Sequence, residues 1–135
     1  MTNKILFVCM GNTCRSPMAQ FLLQKMRPDL NVQSAGLCAF NGSKISEETK
    51  SILIKEGVSE NKLNAFKSKQ ITNEELNEDN LIFVMEESHI EQLKLMGRTK
   101  NVFLLNSENI PDPFGVKDLY SVAQAKIQQG LESLF

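Results

Sequence analysis

Eight consecutive residues near the start of the chain, Cys9-Met10-Gly11-Asn12-Thr13-Cys14-Arg15-Ser16, put a thiol, a guanidinium and a hydroxyl within a few residues of one another. A cysteine sulfur is a potent nucleophile once ionised. Arginine offers a planar fork that grips a phosphate-like dianion through two parallel hydrogen bonds, which the point charge of a lysine does not match. Gly11 and Asn12 are residue types that tolerate positive φ, so they are expected to turn successive backbone N–H groups inward as an oxyanion cradle. Nucleophile, cradle and clamp together point to displacement at phosphorus by sulfur. The Cys-x5-Arg spacing is weak by itself and gains meaning only from its structural setting.

A second candidate lies far along the chain. Expelling an alkoxide-like group from a phosphate ester at neutral pH calls for a general acid. Ile110-Pro111-Asp112-Pro113-Phe114-Gly115 holds a carboxyl in a stiff loop. The plainer reading of Asp112 is an Asx-type turn residue; beside the first loop, the acid is favoured.

The elements that must position these residues follow from periodicity. Residues 5–9 form an apolar run with no polar side chain, a buried strand. Ser16-Pro17 opens a helix, proline being suited to its first turn. Ala19, Leu22, Leu23 and Met26 follow at helical spacing, and Pro28 stops it. A cysteine at such a strand–helix junction faces unpaired N–H groups and the positive end of the helix dipole, which favour the thiolate. Residues 32–35 are a second strand closed by Gly36. Ser46, Glu47 and Glu48 mark the start of a helix that buries Ile45, Ile52 and Leu53 and ends at Gly57.

Thr72-Asn73-Glu74-Glu75 and Ser88-His89-Ile90-Glu91 both have capping-box spacing. Ile90, Leu93 and Met96 back the second, with Gly97 as its stop. Residues 81–85 and 102–105 are the third and fourth strands, and residues 109–115 form a loop. Leu119, Ala123, Ile127, Leu131 and Leu134 share one face of a last helix despite Gly130. Four apolar strands separated by helices describe an α/β fold: a three-layer, four-stranded parallel sheet flanked by helices on both faces, with the phosphate-binding loop between strand 1 and helix 1. Ligands of such sheets bind outside the carboxyl ends of the strands, where both loops fall. No repeat or linker is visible, so residues 1–135 read as one domain.

Composition removes other classes. Apolar residues make up 41% and charged residues 23%, an ordinary globular mix. No apolar run approaches bilayer length, and Met-Thr-Asn-Lys leads straight into a strand, so neither a membrane span nor a signal peptide is expected. Three cysteines do not make a secreted disulfide framework, which favours the cytoplasm. The net charge of −1 argues against a nucleic-acid partner. The charge is uneven: residues 1–70 carry ten Lys/Arg against five Asp/Glu, and residues 71–135 carry five against eleven. The anion site therefore falls in the basic half.

Cys9-Met-Gly-Asn-Thr-Cys-Arg-Ser-Pro-Met-Ala, then Ser34-Ala35-Gly36, then Asp112-Pro113-Phe114-Gly115, resembles the low-molecular-weight protein tyrosine phosphatase family over essentially the whole chain. The resemblance implies a two-step reaction without metal or cofactor. Cys9 would attack phosphorus and form a cysteinyl-phosphate, Arg15 would clamp the equatorial oxygens, and Asp112 would protonate the leaving group and later activate water. Substrate contacts are implied for Met10, Gly11, Asn12, Thr13, Cys14 and Ser16 in the loop and for Phe40 and Phe114 on the rim. Ser16 would hydrogen-bond the Cys9 thiolate and Asn12 would brace the loop. The partners implied are phosphorylated proteins and inorganic phosphate.

Members acting on phosphotyrosine carry an apolar residue where this chain has Thr13, Tyr-Tyr after the Asp-Pro, and a Trp after the Ser-Ala-Gly. Here those places hold Phe114-Gly115 and Leu37-Cys38-Ala39-Phe40, so the chain is similar to the bacterial protein-arginine phosphatase branch. A planar, cationic guanidinium suits a hydroxyl at Thr13 and a carboxylate at Asp112, whereas a phenyl ring suits an apolar wall. Phosphoarginine and phosphotyrosine both stay open as substrates, with phosphoarginine favoured, and simple aryl phosphates are expected to be hydrolysed either way.

Other readings compete. Cys14 is either a redox partner of Cys9 or a packing cysteine. Cys38 is expected to be inert, His89 to be an exposed surface residue, and Tyr120 to pack on the final helix. One histidine and three scattered cysteines do not make an ordinary zinc site. Arsenate reduction would need cysteines after Cys38. A phosphocysteine carrier domain of a sugar-uptake system would need neither Arg15 nor Asp112, and the presence of Cys9, Arg15 and Asp112 argues against a non-catalytic phosphate-binding module.

Overall fold

Residues 4–135 are described by a computed structural model. Met1, Thr2 and Asn3, on which the leader reading partly rests, lie outside the described residues. Strand β1 (Lys4–Cys9) sends Ile5, Phe7 and Cys9 to one face and Leu6 and Val8 to the other, all buried, as a central parallel strand requires. Strands β2 (Val32–Gly36), β3 (Asn80–Val84) and β4 (Val102–Leu104) complete a parallel sheet in the order β2-β1-β3-β4. The chain crosses from β1 to β2 on one side, and β3 then pairs with β1 on the other. The carboxyl ends of β1 and β3 thus flank a topological switch point, where an open α/β sheet leaves a crevice.

Helices α1 (Arg15–Met26), α2 (Glu47–Lys55), α3 (Glu60–Ala65) and α6 (Leu119–Leu134) cover the face of Phe7, with Met18, Leu23, Leu53 and Ile127 in the shared core. Helices α4 (Asn73–Asn77) and α5 (Glu87–Leu95) cover the face of Leu6 and Val8 through Leu76 and Leu93. The three-layer arrangement expected from the sequence is present. Among the described residues, no helix is long and apolar enough to cross a membrane.

Local chemistry explains most boundaries. Ser46 caps α2 by accepting from the Thr49 N–H at 3.2 Å. The Thr72–Glu75 capping box forms in full.

The second expected capping box, at Ser88, does not form: α5 begins at Glu87, and Ser88 Oγ instead donates to Glu86 Oε1 at 2.8 Å. His89, one turn before Leu93, shares the buried face of α5 and is 1% exposed rather than a surface residue. Helix α3 has no counterpart in the sequence reading, because Leu63 is its only buried residue and six residues carry no usable period. Leu134, expected on the inner face of α6, is 49% exposed in the last turn. Gly130 sits where a Cβ would come within 2.3 Å of the Leu105 carbonyl oxygen, so its place in a helix reflects close packing against the end of β4.

Candidate active site

The loop from Met10 to Cys14 joins β1 to α1 at the switch point. Helix α1 has no side-chain cap and no acidic residue in its first turn, so its own sequence leaves the positive end of its dipole open. Cys9, 3% exposed, ends β1 beneath this turn. Its sulfur receives the Asn12 backbone N–H at 3.3 Å and lies 2.9 Å from Ser16 Oγ. The Ser16 oxygen already accepts from Asn12 Nδ2 at 2.8 Å, which directs the hydroxyl proton at the sulfur. Two donors therefore converge on one sulfur.

Asn12 holds the loop in shape. It is fully buried and its backbone is left-handed, φ 58°. Besides Ser16, its Nδ2 donates to Ser34 Oγ on β2 at 2.9 Å, and its Oδ1 accepts from the Lys69 N–H at 3.0 Å. Its carbonyl accepts from Ser68 Oγ at 2.6 Å. Residues 68–69 are themselves tied to the α4 cap, since the Lys69 ammonium pairs with Glu75.

Gly11 was expected to share the positive φ and does not; a Cβ there would meet only Thr13 Oγ1, at 3.9 Å. The indispensable glycine is Gly36, whose Cβ would strike Met10 O at 2.8 Å and Asn12 Cβ at 3.2 Å. The loop packs against the bare backbone at the end of β2.

Arg15 is 3% exposed, and its orientation is fixed by residues 71 and 95 positions away. NH1 donates to Glu86 Oε2 at 2.6 Å and to the Ile110 carbonyl at 2.8 Å, leaving the rest of the fork for a ligand. Burial alone would raise the Glu86 carboxyl, but Arg15 and the Ser88 hydroxyl hold it below the usual carboxylate range. Glu86 follows β3 on the same edge of the sheet as Cys9. Its placement after a strand was the one available sequence signal for it, and sequence reasoning missed it.

Asp112 reaches the same edge: its Oδ2 lies 3.9 Å from Arg15 NH2. Its Oδ1 accepts from the Phe114 N–H at 3.1 Å, the Asx turn weighed as the plainer reading. The two readings coexist, because the turn occupies one carboxyl oxygen and leaves the other towards the site. The Asp112 side chain is 53% exposed.

His89, also unforeseen here, accepts from the Met85 N–H through Nδ1 at 3.4 Å. Burial and then the Arg15 charge push it down to about 4, against the pull of Glu86 and Asp112. The buried ring therefore stays neutral at neutral pH.

The remaining predicted residues divide between loop and rim. Thr13 is half-buried, its Oγ1 3.6 Å from Cys14 Sγ, and its carbonyl accepts from the Ser46 N–H at 3.0 Å. Met10 is half-buried, and its carbonyl accepts from the Cys38 N–H at 2.9 Å. Cys9, Cys14 and Cys38 are free thiols.

Cys14 is buried, 3.2 Å from the Tyr120 hydroxyl, which in turn donates to Ser46 Oγ at 3.3 Å. Burial, together with the Cys14 contact, raises the Tyr120 phenol above its ordinary range. Tyr120 packs on the final helix as expected, and it also reaches the catalytic loop. Phe40 and Phe114 are 84% and 68% exposed, on the segments that follow β2 and Asp112.

The family model described as "Low molecular weight phosphotyrosine protein phosphatase" matches residues 4–135. The chain is 36% identical over 132 residues to the low molecular weight protein-tyrosine-phosphatase PtpB of Staphylococcus epidermidis, covering 92% of this chain and 91% of that one. It superposes on Vibrio vulnificus Wzb in complex with benzylphosphonate with a TM-score of 0.88 at 28% identity, covering 98% and 97% of the two chains. The YwlE arginine phosphatase from Geobacillus stearothermophilus superposes with a TM-score of 0.84 at 31% identity, covering 98% and 90%.

Proposed function

We propose a function that proceeds from one premise: the chain belongs to the low molecular weight phosphotyrosine protein phosphatase family. It is accordingly a cysteine-dependent protein phosphatase. What is proposed is the role of each residue and the phosphorylated group. The Cys9 sulfur attacks phosphorus in line, forming the P–S bond as the bond to the leaving atom breaks. Asp112, through Oδ2, passes its proton to that atom. The same carboxylate then takes a proton from the water that attacks the cysteinyl-phosphate, the P–S bond breaks, and inorganic phosphate and the thiolate are released.

Arg15 and the loop N–H groups stabilise the charge on the equatorial oxygens, where phosphoryl transfer is most helped. The observation that carries this reading is the pair of donors on Cys9 Sγ, from Asn12 and Ser16, at the edge where Arg15 stands 3.9 Å from Asp112. The test is hydrolysis of 4-nitrophenyl phosphate. Cys9→Ser should abolish it, and Asp112→Asn should slow it by about 10²–10⁴. Full activity in Cys9→Ser would overturn the scheme.

For the substrate we infer phosphoarginine on proteins, with aryl phosphates also accepted. The Thr13 hydroxyl at the cradle and the Asp112 carboxylate suit a cationic, planar leaving group better than a phenyl ring, and a solved relative of the same fold is an arginine phosphatase. Thr13→Ile should lower the activity ratio of phosphoarginine over phosphotyrosine peptides; an unchanged ratio would refute the assignment. The family match along residues 4–135 supports reading the chain as one domain. The free thiols fit a reducing cytoplasm.

A further inference from the structure

The Asp112 loop lies outside helix and strand, between Leu104 and Leu119, and its carboxyl is half exposed. What fixes its height over the phosphate cradle is therefore a question about its base. Two contacts tie that base to the turn between β3 and α5. The Ile110 N–H donates to the Met85 carbonyl at 2.8 Å, and Asn109 Oδ1 accepts from the Glu87 N–H at 3.0 Å. Glu87 is the first residue of α5, whose own N-cap, Glu86, makes no side-chain cap bond. Asn109 thus caps this helix from another segment of the chain. With Arg15, which holds both Glu86 and the Ile110 carbonyl, it joins the acid loop to the turn that carries Glu86.

We propose that Asn109 is a positioning residue for proton transfer: its bond to the Glu87 N–H, beside the two contacts of Ile110, sets where Asp112 stands relative to the leaving group. Ile110 and Pro111 lie between Asn109 and Asp112, and Pro111 fixes φ, so the three anchors at the base act together on the position of Asp112. Arg15 keeps its bonds to Glu86 and to the Ile110 carbonyl without Asn109, so the cradle for phosphate is preserved. The inference rests on the acid role assigned to Asp112, and the experiment separates the two.

The experiment measures kcat/KM over a series of aryl phosphates, from 4-nitrophenyl to unsubstituted phenyl, together with inhibition by inorganic phosphate. A good leaving group depends less on proton transfer than a poor one does, so a small displacement of the acid is felt most by the poor one. Asn109→Ala should leave 4-nitrophenyl phosphate within about twofold and cut phenyl phosphate about five- to tenfold, the scale of a lost helix cap. Phosphate inhibition should not change. Asn109→Asp, which keeps an acceptor for the Glu87 N–H, should restore the slope across the series. A uniform loss across the series, weakened phosphate inhibition, or no recovery in Asn109→Asp would each overturn the proposal. Asp112→Asn run alongside should give the same slope, steeper. If its series is flat, the acid assignment falls and this inference with it; a steep Asp112→Asn beside a flat Asn109→Ala refutes Asn109 alone.

Discussion

Replacing Asn12 with alanine removes the brace of the catalytic loop without touching a reacting atom. The cost can be worked from the contacts. Two donations from Nδ2, to Ser16 and Ser34, and one acceptance at Oδ1, from Lys69, disappear. At about 1 kcal/mol net for each hydrogen bond, that is roughly 3 kcal/mol. The backbone stays at φ 58°, where alanine costs about 1 kcal/mol more because its Cβ crowds the following carbonyl. Asn12→Ala is therefore expected to lose about 4 kcal/mol, a large share of the 5–15 kcal/mol typical of a domain. Asn12→Gly, free of the backbone strain, should be milder.

Urea unfolding followed by circular dichroism, extrapolated to zero denaturant, gives both values. The same variants should alkylate more slowly at Cys9 with iodoacetamide, since Ser16 is no longer turned towards the sulfur. An Asn12→Ala protein within about 1 kcal/mol of the parent would refute the reading of Asn12 as the brace.

Two further expectations concern the scaffold. His89 is held neutral down to about 4, whereas in the unfolded chain it takes up its proton from 6.5 downwards. The unfolded state binds more protons between those values, so the stability this site supplies is complete above pH 6.5 and is lost as pH falls towards 4. The slope reaches at most about 1.4 kcal/mol per pH unit, and His89→Gln should flatten the stability–pH curve in that window. Helix propensity alone would have Gly130→Ala stabilise α6 by about 1 kcal/mol. With the Leu105 carbonyl 2.3 Å from the added Cβ, the expected result is instead a loss of roughly 1–3 kcal/mol in a thermal melt, and a gain would mean that α6 can move away from β4.

The loop between β1 and α1 was legible in the sequence because everything that makes it recognisable is local: an apolar strand, a cysteine, an arginine and a helix start within a few residues. The same holds for the α4 cap, where Thr72 and Glu75 satisfy each other. What the sequence hid is what acts across the fold. Nothing near Arg15 announces Glu86, which lies 71 residues away, and nothing near Asn12 announces Ser34 or Lys69. His89 was misjudged for a geometric reason. It stands four residues before the buried Leu93, so both fall on the face that α5 turns to the sheet, whereas the first-turn reading looked only at its distance from the helix start. The positive φ assigned to both Gly11 and Asn12 belonged to Asn12 alone, since residue type permits that conformation without requiring it.

The tethers behind Asn12 also bear on how such a protein can diverge. The shape of the cradle is secured from its rear by Ser34, Ser68 and Lys69. Phe40 and Phe114, on the segments that follow β2 and Asp112, are mostly surrounded by solvent. Mutations there can therefore accumulate at little cost to folding, while the reacting groups stay fixed. A change at either exposed ring thus alters what the surface offers a ligand without loosening the tethers beneath it.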